Sequence, residues 1–197
     1  MVIHTIGDSH SNHGWNSNVI SHSFEDMSCY DFAVNRFKKV DIQELNINNG
    51  DSIIFCFGYF DCKYYIQKNI NDFITYQQVI NYIIINYFKY ISFIINNSGV
   101  NFKKICVYNV VPLFNEKYNT YEYQDYTTLN INDVIKSNIL YFNTKIKEYC
   151  EKYNYVFFDI YDKYTDENGF LKKDLSDDGV HIKNGIYINE FITNNDI

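Results

Sequence analysis

Proline is nearly absent from this chain, and arginine and alanine are as scarce: Pro112, Arg36 and Ala33 are single occurrences among 197 residues. A chain so poor in proline holds no polyproline segment, and no Gly/Ser/Pro-rich linker divides it. Asn, Ile, Tyr and Lys fill the space instead, the set that an AT-rich coding sequence favours. Positive charge is also thin. Lys and Arg total 17 against 24 Asp and Glu, a formal net charge of −7, and the densest basic groups are the pairs Lys38-Lys39, Lys103-Lys104 and Lys172-Lys173. No such pair can neutralise a run of phosphates, so nucleic acid is not an expected partner. The five cysteines, Cys29, Cys56, Cys62, Cys106 and Cys150, are odd in number and lack C-x-x-C spacing, which argues against a disulfide framework or a zinc site. Cys56 and Cys106 lie in apolar runs and read as core, while Cys62 follows Asp61 in what reads as a loop.

The start Met1-Val-Ile-His-Thr lacks the basic and apolar regions of a secretory leader, so a cytoplasmic location is expected. The stretch from Ile74 to Ile95 is the one that approaches a membrane span in length. Gln78, Asn81, Lys89 and Ser92 recur along one side of it, the pattern of an amphipathic helix rather than a lipid-embedded one.

What is present is the material of a folded core, with 46% apolar and 21% charged residues in a length that suits one domain spanning 1–197. Short apolar runs at Val2–Ile6, Ile53–Phe57, Ile105–Val111 and Val156–Ile160 read as buried parallel strands, with a weaker candidate at Val19–Phe24. Between them lie segments with helical spacing. The clearest carries Ile135, Ile139, Phe142, Ile146, Tyr149 and Tyr153 on one face, with Asn132 or Asp133 placed to cap it. The polar stretch from Asn115 to Asp125 reads as a surface loop. Strand-helix alternation predicts an α/β fold with a parallel sheet of about five strands covered on both faces, and in such sheets the site lies at the carboxyl ends of the strands.

Two short stretches carry candidate chemistry. Ile6-Gly7-Asp8-Ser9-His10-Ser11 follows the first strand as a tight turn that lifts a hydroxyl to the top of the sheet, where the serine's own N–H can face a developing oxyanion. Taken alone, Gly-Asp-Ser also makes ordinary turns. Near the other end, Asp177-Asp178-Gly179-Val180-His181 supplies an acid and a base three residues apart. A carboxylate on the imidazole Nδ1–H leaves Nε2 to take a proton from a hydroxyl. A surface Asp-Gly turn followed by an unrelated histidine is the alternative.

Taken together, Gly7-Asp8-Ser9-His10-Ser11 and Asp178-Gly179-Val180-His181 resemble the first and last blocks, G-D-S-x-S and D-x-x-H, of the SGNH (GDSL-like) hydrolases. The resemblance runs from Val2 to about Asn189. It implies a three-layer, flavodoxin-like α/β/α fold with Ser9 as nucleophile, His181 as general base and then acid, and Asp178 as its orienting partner. A subset of such proteins found beside glycan-handling enzymes carries F-G-E-I-D-C-R after the third strand, where this chain has Phe57-Gly58-Tyr59-Phe60-Asp61-Cys62-Lys63. The chain departs from the general pattern at the two other oxyanion positions, since Glu25 stands at the block-two glycine and Phe60 at the block-three asparagine. Gly58, Asp61 and Lys63 are the candidates to compensate, Lys63 by positive charge, although Asp61 and Lys63 can equally form a loop ion pair.

The activity this implies is hydrolysis of a small acyl ester, such as an O-acetyl group on a sugar or glycan, with no cofactor. An acyltransferase uses the same acyl-enzyme. The replaced oxyanion residues also leave room for a non-catalytic module that binds carbohydrate or protein. His4, His10, His13 and His22 lack a completing acid or cysteine pattern, so no metal site is expected. His22 is a candidate to line the cleft. Trp15 and Tyr59 are candidates for an apolar or sugar-stacking wall near Ser9.

Overall fold

A computed structural model describes residues 1–24, 27–35, 40–115, 131–177 and 179–197. Five strands form one sheet: β1 (Ile3–Gly7), β2 (Val19–Ser23), β3 (Ser52–Cys56), β4 (Ile105–Tyr108) and β5 (Val156–Phe158). All pairings are parallel, in the order β2-β1-β3-β4-β5. Each strand is a short run rich in β-branched or aromatic residues. The central β3, Ser-Ile-Ile-Phe-Cys, is buried along its whole length, as a strand covered on both faces must be.

The helices are α1 (Ile66–Asn69), α2 (Tyr76–Asn97), α3 (Ile131–Tyr153), α4 (Tyr161–Tyr164) and α5 (Ile186–Asn194). The chain steps from β1 outward to β2 and then reverses across β1 to β3, so right-handed crossovers send the first connection to one face and the later ones to the other. In keeping with this, α2 packs against both α3 and the π-helical turn Asp31–Asn35. On the opposite side α5 lies against the β1–β2 connection, where Ile188 approaches Gly14 and Asn16 hydrogen-bonds Asn189.

The helix α2 begins at Thr75, whose hydroxyl accepts from the Gln78 N–H while the Gln78 side chain accepts from the Thr75 N–H. This reciprocal cap stabilises the start by roughly 1 kcal/mol. Its residues Val79, Ile80, Ile83, Ile84, Tyr87, Phe88, Ile91 and Ile94 recur at three- and four-residue spacing and are buried. The helix is long and apolar enough to cross a membrane, yet half of its most apolar window is buried inside the molecule. The face of α3 is likewise set by Ile135, Ile139, Phe142, Ile146 and Cys150. Here the structure differs from expectation, because the helix already includes Ile131 and places Asn132 and Asp133 within its first turn. The stretch beyond Asn115 expected as a surface loop lies outside the described residues, as do Lys38 and Lys39.

All five cysteines are free and buried. Burial pushes their thiols up, Cys106 to about 12, which makes them poor nucleophiles. Cys62 lies not in a loop but in a π-helical turn, Asp61–Tyr65.

Candidate active site

Gly7 ends β1 beside Cys56 of β3, and a Cβ there would sit 2.0 Å from the Cys56 carbonyl oxygen. Only glycine lets the two strand ends close so tightly. The next N–H, that of Asp8, donates to that same carbonyl at 3.0 Å, and the chain then turns into a short 3-10 segment, Ser9–Ser11. Asp8 caps it, with Oδ1 accepting from the His10 N–H at 2.9 Å. Two further ties fix the turn: the Thr5 hydroxyl donates to the Ser11 carbonyl at 2.7 Å, and the Trp15 indole N–H donates to the His10 carbonyl at 2.9 Å. Ser9 is held half-exposed at the carboxyl end of the sheet.

The loop before α5 brings His181 to this point. Its Nε2 lies 2.8 Å from Ser9 Oγ, across 172 positions of sequence. Its Nδ1 lies 3.0 Å from Asp177 Oδ2. The other oxygen, Asp177 Oδ1, accepts from the N–H groups of Gly179 at 2.9 Å and His181 at 3.2 Å. The Asp177 N–H in turn donates to the His181 carbonyl at 3.0 Å. The carboxylate therefore shapes the loop with one oxygen and orients the ring with the other. The family resemblance implies Asp178 in that role, and Asp178 lies outside the described residues. The carboxylate described on Nδ1 is that of its neighbour, Asp177.

Electrostatics suit a neutral imidazole. Burial lowers the pKa of His181, the neighbouring His10 and His13 lower it further, and the Asp177 hydrogen bond opposes them without prevailing. For Asp177, partial burial raises the pKa, but the hydrogen bonds from the His181 side chain and backbone and from Gly179 outweigh it and hold the carboxyl below its ordinary value. With Asp177 accepting at Nδ1, the Nε2 lone pair faces the serine hydroxyl.

Two more histidines crowd this ring. His10 is buried, with Nδ1 2.9 Å from Asp8 Oδ1 and Nε2 3.3 Å from the Val180 carbonyl. It thus straps the turn bearing Ser9 to the loop bearing His181. His13 lies flat on His181, with centroids 3.9 Å apart and planes 12° from parallel, and its Nδ1 is 2.8 Å from the Ser9 carbonyl. The sequence shows no acid or cysteine pattern that completes a set with these histidines. The structure instead gathers His13, Asp177 and His181, with one potential ligand atom from each within 4.8 Å of the others. Only the fold could show that cluster, because its members come from the two ends of the chain.

The block-three residues are placed differently from expectation. Gly58 has φ +123°, and a Cβ there would fall 2.7 Å from the Phe142 ring and 2.8 Å from Val110, so its role is to let the backbone turn under α3. Asp61 is fully buried, and its oxygens accept from the N–H groups of Cys29 at 2.6 Å and Tyr30 at 2.9 Å. Among the described residues its partners are these backbone amides rather than Lys63, and through them it fastens the segment after β2 to the helical run after β3. Burial pushes its carboxyl up to about 7, against those hydrogen bonds and with help from Asp8. Lys63 lies on the same turn, its ammonium 5.3 Å above the Tyr64 ring. Phe60 is about half exposed, while Glu25 lies outside the described residues.

Trp15 and Tyr59 do not form an open wall. Tyr59 is buried against His10 at 4.6 Å, and Trp15 packs inward on Tyr108 and Phe158. His22 does not reach the Ser9 cleft by any described contact: its Nε2 lies 3.0 Å from Nδ1 of His4, whose own Nε2 is 3.5 Å from Asp51.

Comparison with known proteins agrees with this fold. The model of the GDSL-like lipase/acylhydrolase family matches residues 2–187. Among solved structures, a GDSL-like lipase from Bacteroides thetaiotaomicron superposes with a TM-score of 0.64 at 18% identity, covering 98% of this chain and 85% of its own. An acetylxylan esterase from Geobacillus stearothermophilus, as a catalytic mutant, gives 0.55 at 12% identity, covering 98% and 90%. A phospholipase A1 from Streptomyces albidoflavus gives 0.50 at 12% identity, covering 92% of each chain. At such identities these likenesses show the fold alone. No curated protein matches the sequence significantly.

Proposed function

We propose, from the premise that this chain belongs to the GDSL-like lipase/acylhydrolase family, that it is a serine esterase in which Ser9 attacks a small acyl ester. The observation that carries this reading is the hydrogen-bonded chain from Ser9 Oγ through His181 to Asp177, at 2.8 and 3.0 Å. In the first step His181 Nε2 takes the hydroxyl proton as Ser9 Oγ bonds to the acyl carbon. The same proton then passes to the departing alcohol oxygen as the ester C–O bond breaks. Water repeats the sequence against the acyl-Ser9 and regenerates the hydroxyl. Asp177 holds the ring in the required tautomer and stabilises the imidazolium that forms between steps.

The negative charge on the carbonyl oxygen needs N–H donors. The Ser9 amide is one candidate. Another is the amide of Phe60, in the first turn of the helical run after Gly58, since leading helical amides have no acceptor within the helix. The Cys62 N–H is the donor that reaches back to the Gly58 carbonyl. Backbone amides there would do the work of the missing asparagine side chain.

A short acyl group is favoured because Tyr59 packs on His10 and the cavity lined by Asp8, His10, Tyr59 and Tyr108 holds only about 10 Å³. An O-acetyl group on a sugar fits this, and it fits the block-three likeness to proteins found beside glycan-handling enzymes. The fold neighbours include both an acetylxylan esterase and a phospholipase, so assays with acetylated sugars and with long-chain esters separate the two substrate classes. The primary test is release of p-nitrophenol from p-nitrophenyl acetate, together with labelling by a fluorophosphonate probe. Both are expected in the wild type and absent in Ser9→Ala. Equal rates in the two proteins, with no labelling of Ser9, would show a binding module instead.

A further inference from the structure

His13 is absorbed neither by the fold nor by the proposed reaction. Its Nδ1 faces the Ser9 carbonyl, an acceptor, so the proton sits on Nδ1 and the Nε2 lone pair is left over. That ring lies 3.9 Å from the His181 ring, and Asp177 stands on the far edge of His181. Two imidazoles and one carboxylate thus offer three ligand atoms within 4.8 Å of one another at a half-exposed place. On a tetrahedral zinc ion, neighbouring N and O ligands stand about 3.3 Å apart. Capture therefore asks for a closure of an ångström or so, by side-chain rotation that tilts the two stacked rings out of their parallel arrangement.

We propose that His13, Asp177 and His181 form an inhibitory site for a divalent cation of the zinc class. The donor set of two imidazoles and a carboxylate suits zinc and its near neighbours, whereas magnesium and calcium prefer oxygen ligands. Binding through either nitrogen of His181 disarms the base. On Nε2 the ion occupies the lone pair that faces Ser9 Oγ. On Nδ1 it takes the place of the proton shared with Asp177, and the ring then carries its one proton on Nε2, where it can only donate to the hydroxyl. Neither route oxidises or reduces anything, since the ion takes up lone pairs of the imidazoles and the carboxylate.

The inhibitory half of this inference rests on the esterase reading, and the binding half does not. Binding is therefore measured on Ser9→Ala, which keeps all three ligands and has no nucleophile. This protein, stripped with a chelator, is titrated with Co2+ by its visible absorption and with Zn2+ in competition with a chromophoric chelator. One ion per chain is expected, with affinity weakened roughly tenfold or more when His13→Asn is added; the asparagine amide can still donate to the Ser9 carbonyl, which protects the turn. Asp177→Asn provides a second variant with the same expected loss. Absence of binding, or equal affinity with and without the His13 and Asp177 changes, would overturn the site. In the wild type, Zn2+ is expected to stop p-nitrophenyl acetate hydrolysis, EDTA to restore it and Mg2+ to leave it unchanged, and a rate that Zn2+ leaves unchanged or raises would overturn the inhibition. If the metal-free wild type hydrolyses nothing, the esterase reading fails while the Ser9→Ala titration still decides the site.

Discussion

Two Asp–His pairs stand side by side at the end of the sheet, and they differ in a single respect that matters. In both, a carboxylate oxygen lies within hydrogen-bonding distance of a histidine Nδ1, at 2.9 Å for Asp8–His10 and 3.0 Å for Asp177–His181. The far nitrogen of His10 meets the Val180 carbonyl, which has no proton to give, whereas that of His181 meets the Ser9 hydroxyl. A carboxylate-imidazole pair is thus a brace or a base according to what its second nitrogen faces. Burial follows the same division: Asp8 and His10 are 4% and 7% exposed, while Asp177 stands on the outer surface. A brace is best kept dry, whereas the base of the proposed reaction has to meet substrate.

The comparison breaks most sharply at the base. His181→Ala is expected to lower kcat by about 10^4-fold or more, leaving only the contribution of the amide donors and binding; steady-state turnover of p-nitrophenyl acetate measures it. Next, Asp177→Asn is expected to cost about 10^3 to 10^4-fold, because an amide on Nδ1 favours the wrong tautomer, whereas Asp178→Asn leaves the rate within a few-fold. The reverse order would give the orienting role to Asp178. On the brace, His10→Phe keeps the ring's bulk against Tyr59 but unties the two loops, and a roughly ten- to hundredfold fall in kcat with an intact fold is expected. A fall as large as that of His181→Ala would mean the two histidines are not divided as described.

The smallest effects concern pH. Only the neutral imidazole of His181 can accept the serine proton, and burial with two neighbouring histidines disfavours the cation, so the acid limb of kcat/KM should lie below 6.5, the ordinary value for histidine. In His10→Phe that limb should move up. Asp61 gives the opposite kind of signal, in stability rather than rate. Its carboxyl is raised in the folded state, to about 7, so the fold holds more protons than the unfolded chain between the ordinary carboxylate range and that value. Stability through this group falls as pH rises across that window, and urea midpoints should climb as pH drops from 8 to 6. Asp61→Ala removes the trend and leaves the Cys29 and Tyr30 amides without their acceptor, at about 2–4 kcal/mol.

Most of the sheet is readable because β3, β4 and β5 are short, nearly all-apolar runs, whereas β2, with only Val19 and Ile20 apolar, reads weakly; the serine turn is readable because a glycine, an acid and a hydroxyl follow the first strand. The carboxylate is not. Asp177 and Asp178 are chemically identical neighbours, and family spacing points to the second, whereas the loop's own hydrogen bonds turn the first toward the ring. Asp61 misled for a different reason: an acid just past a strand end suggests solvent or substrate, and its true partners, the amides of Cys29 and Tyr30, lie some thirty residues away. His13 is the hardest to read, since its meaning depends on a ring contributed from the opposite end of the chain.

The distance in sequence between Ser9 and His181 carries one more consequence. Under the proposed reaction, a polypeptide that stops before residue 181 carries the nucleophile's turn without its base, so partly made chains are expected to be silent. Hydrolysis, where the proposed reaction holds, would report that the first strand and the segment leading into the last helix have met, and turnover would serve as a clock for completion of the fold during refolding or synthesis.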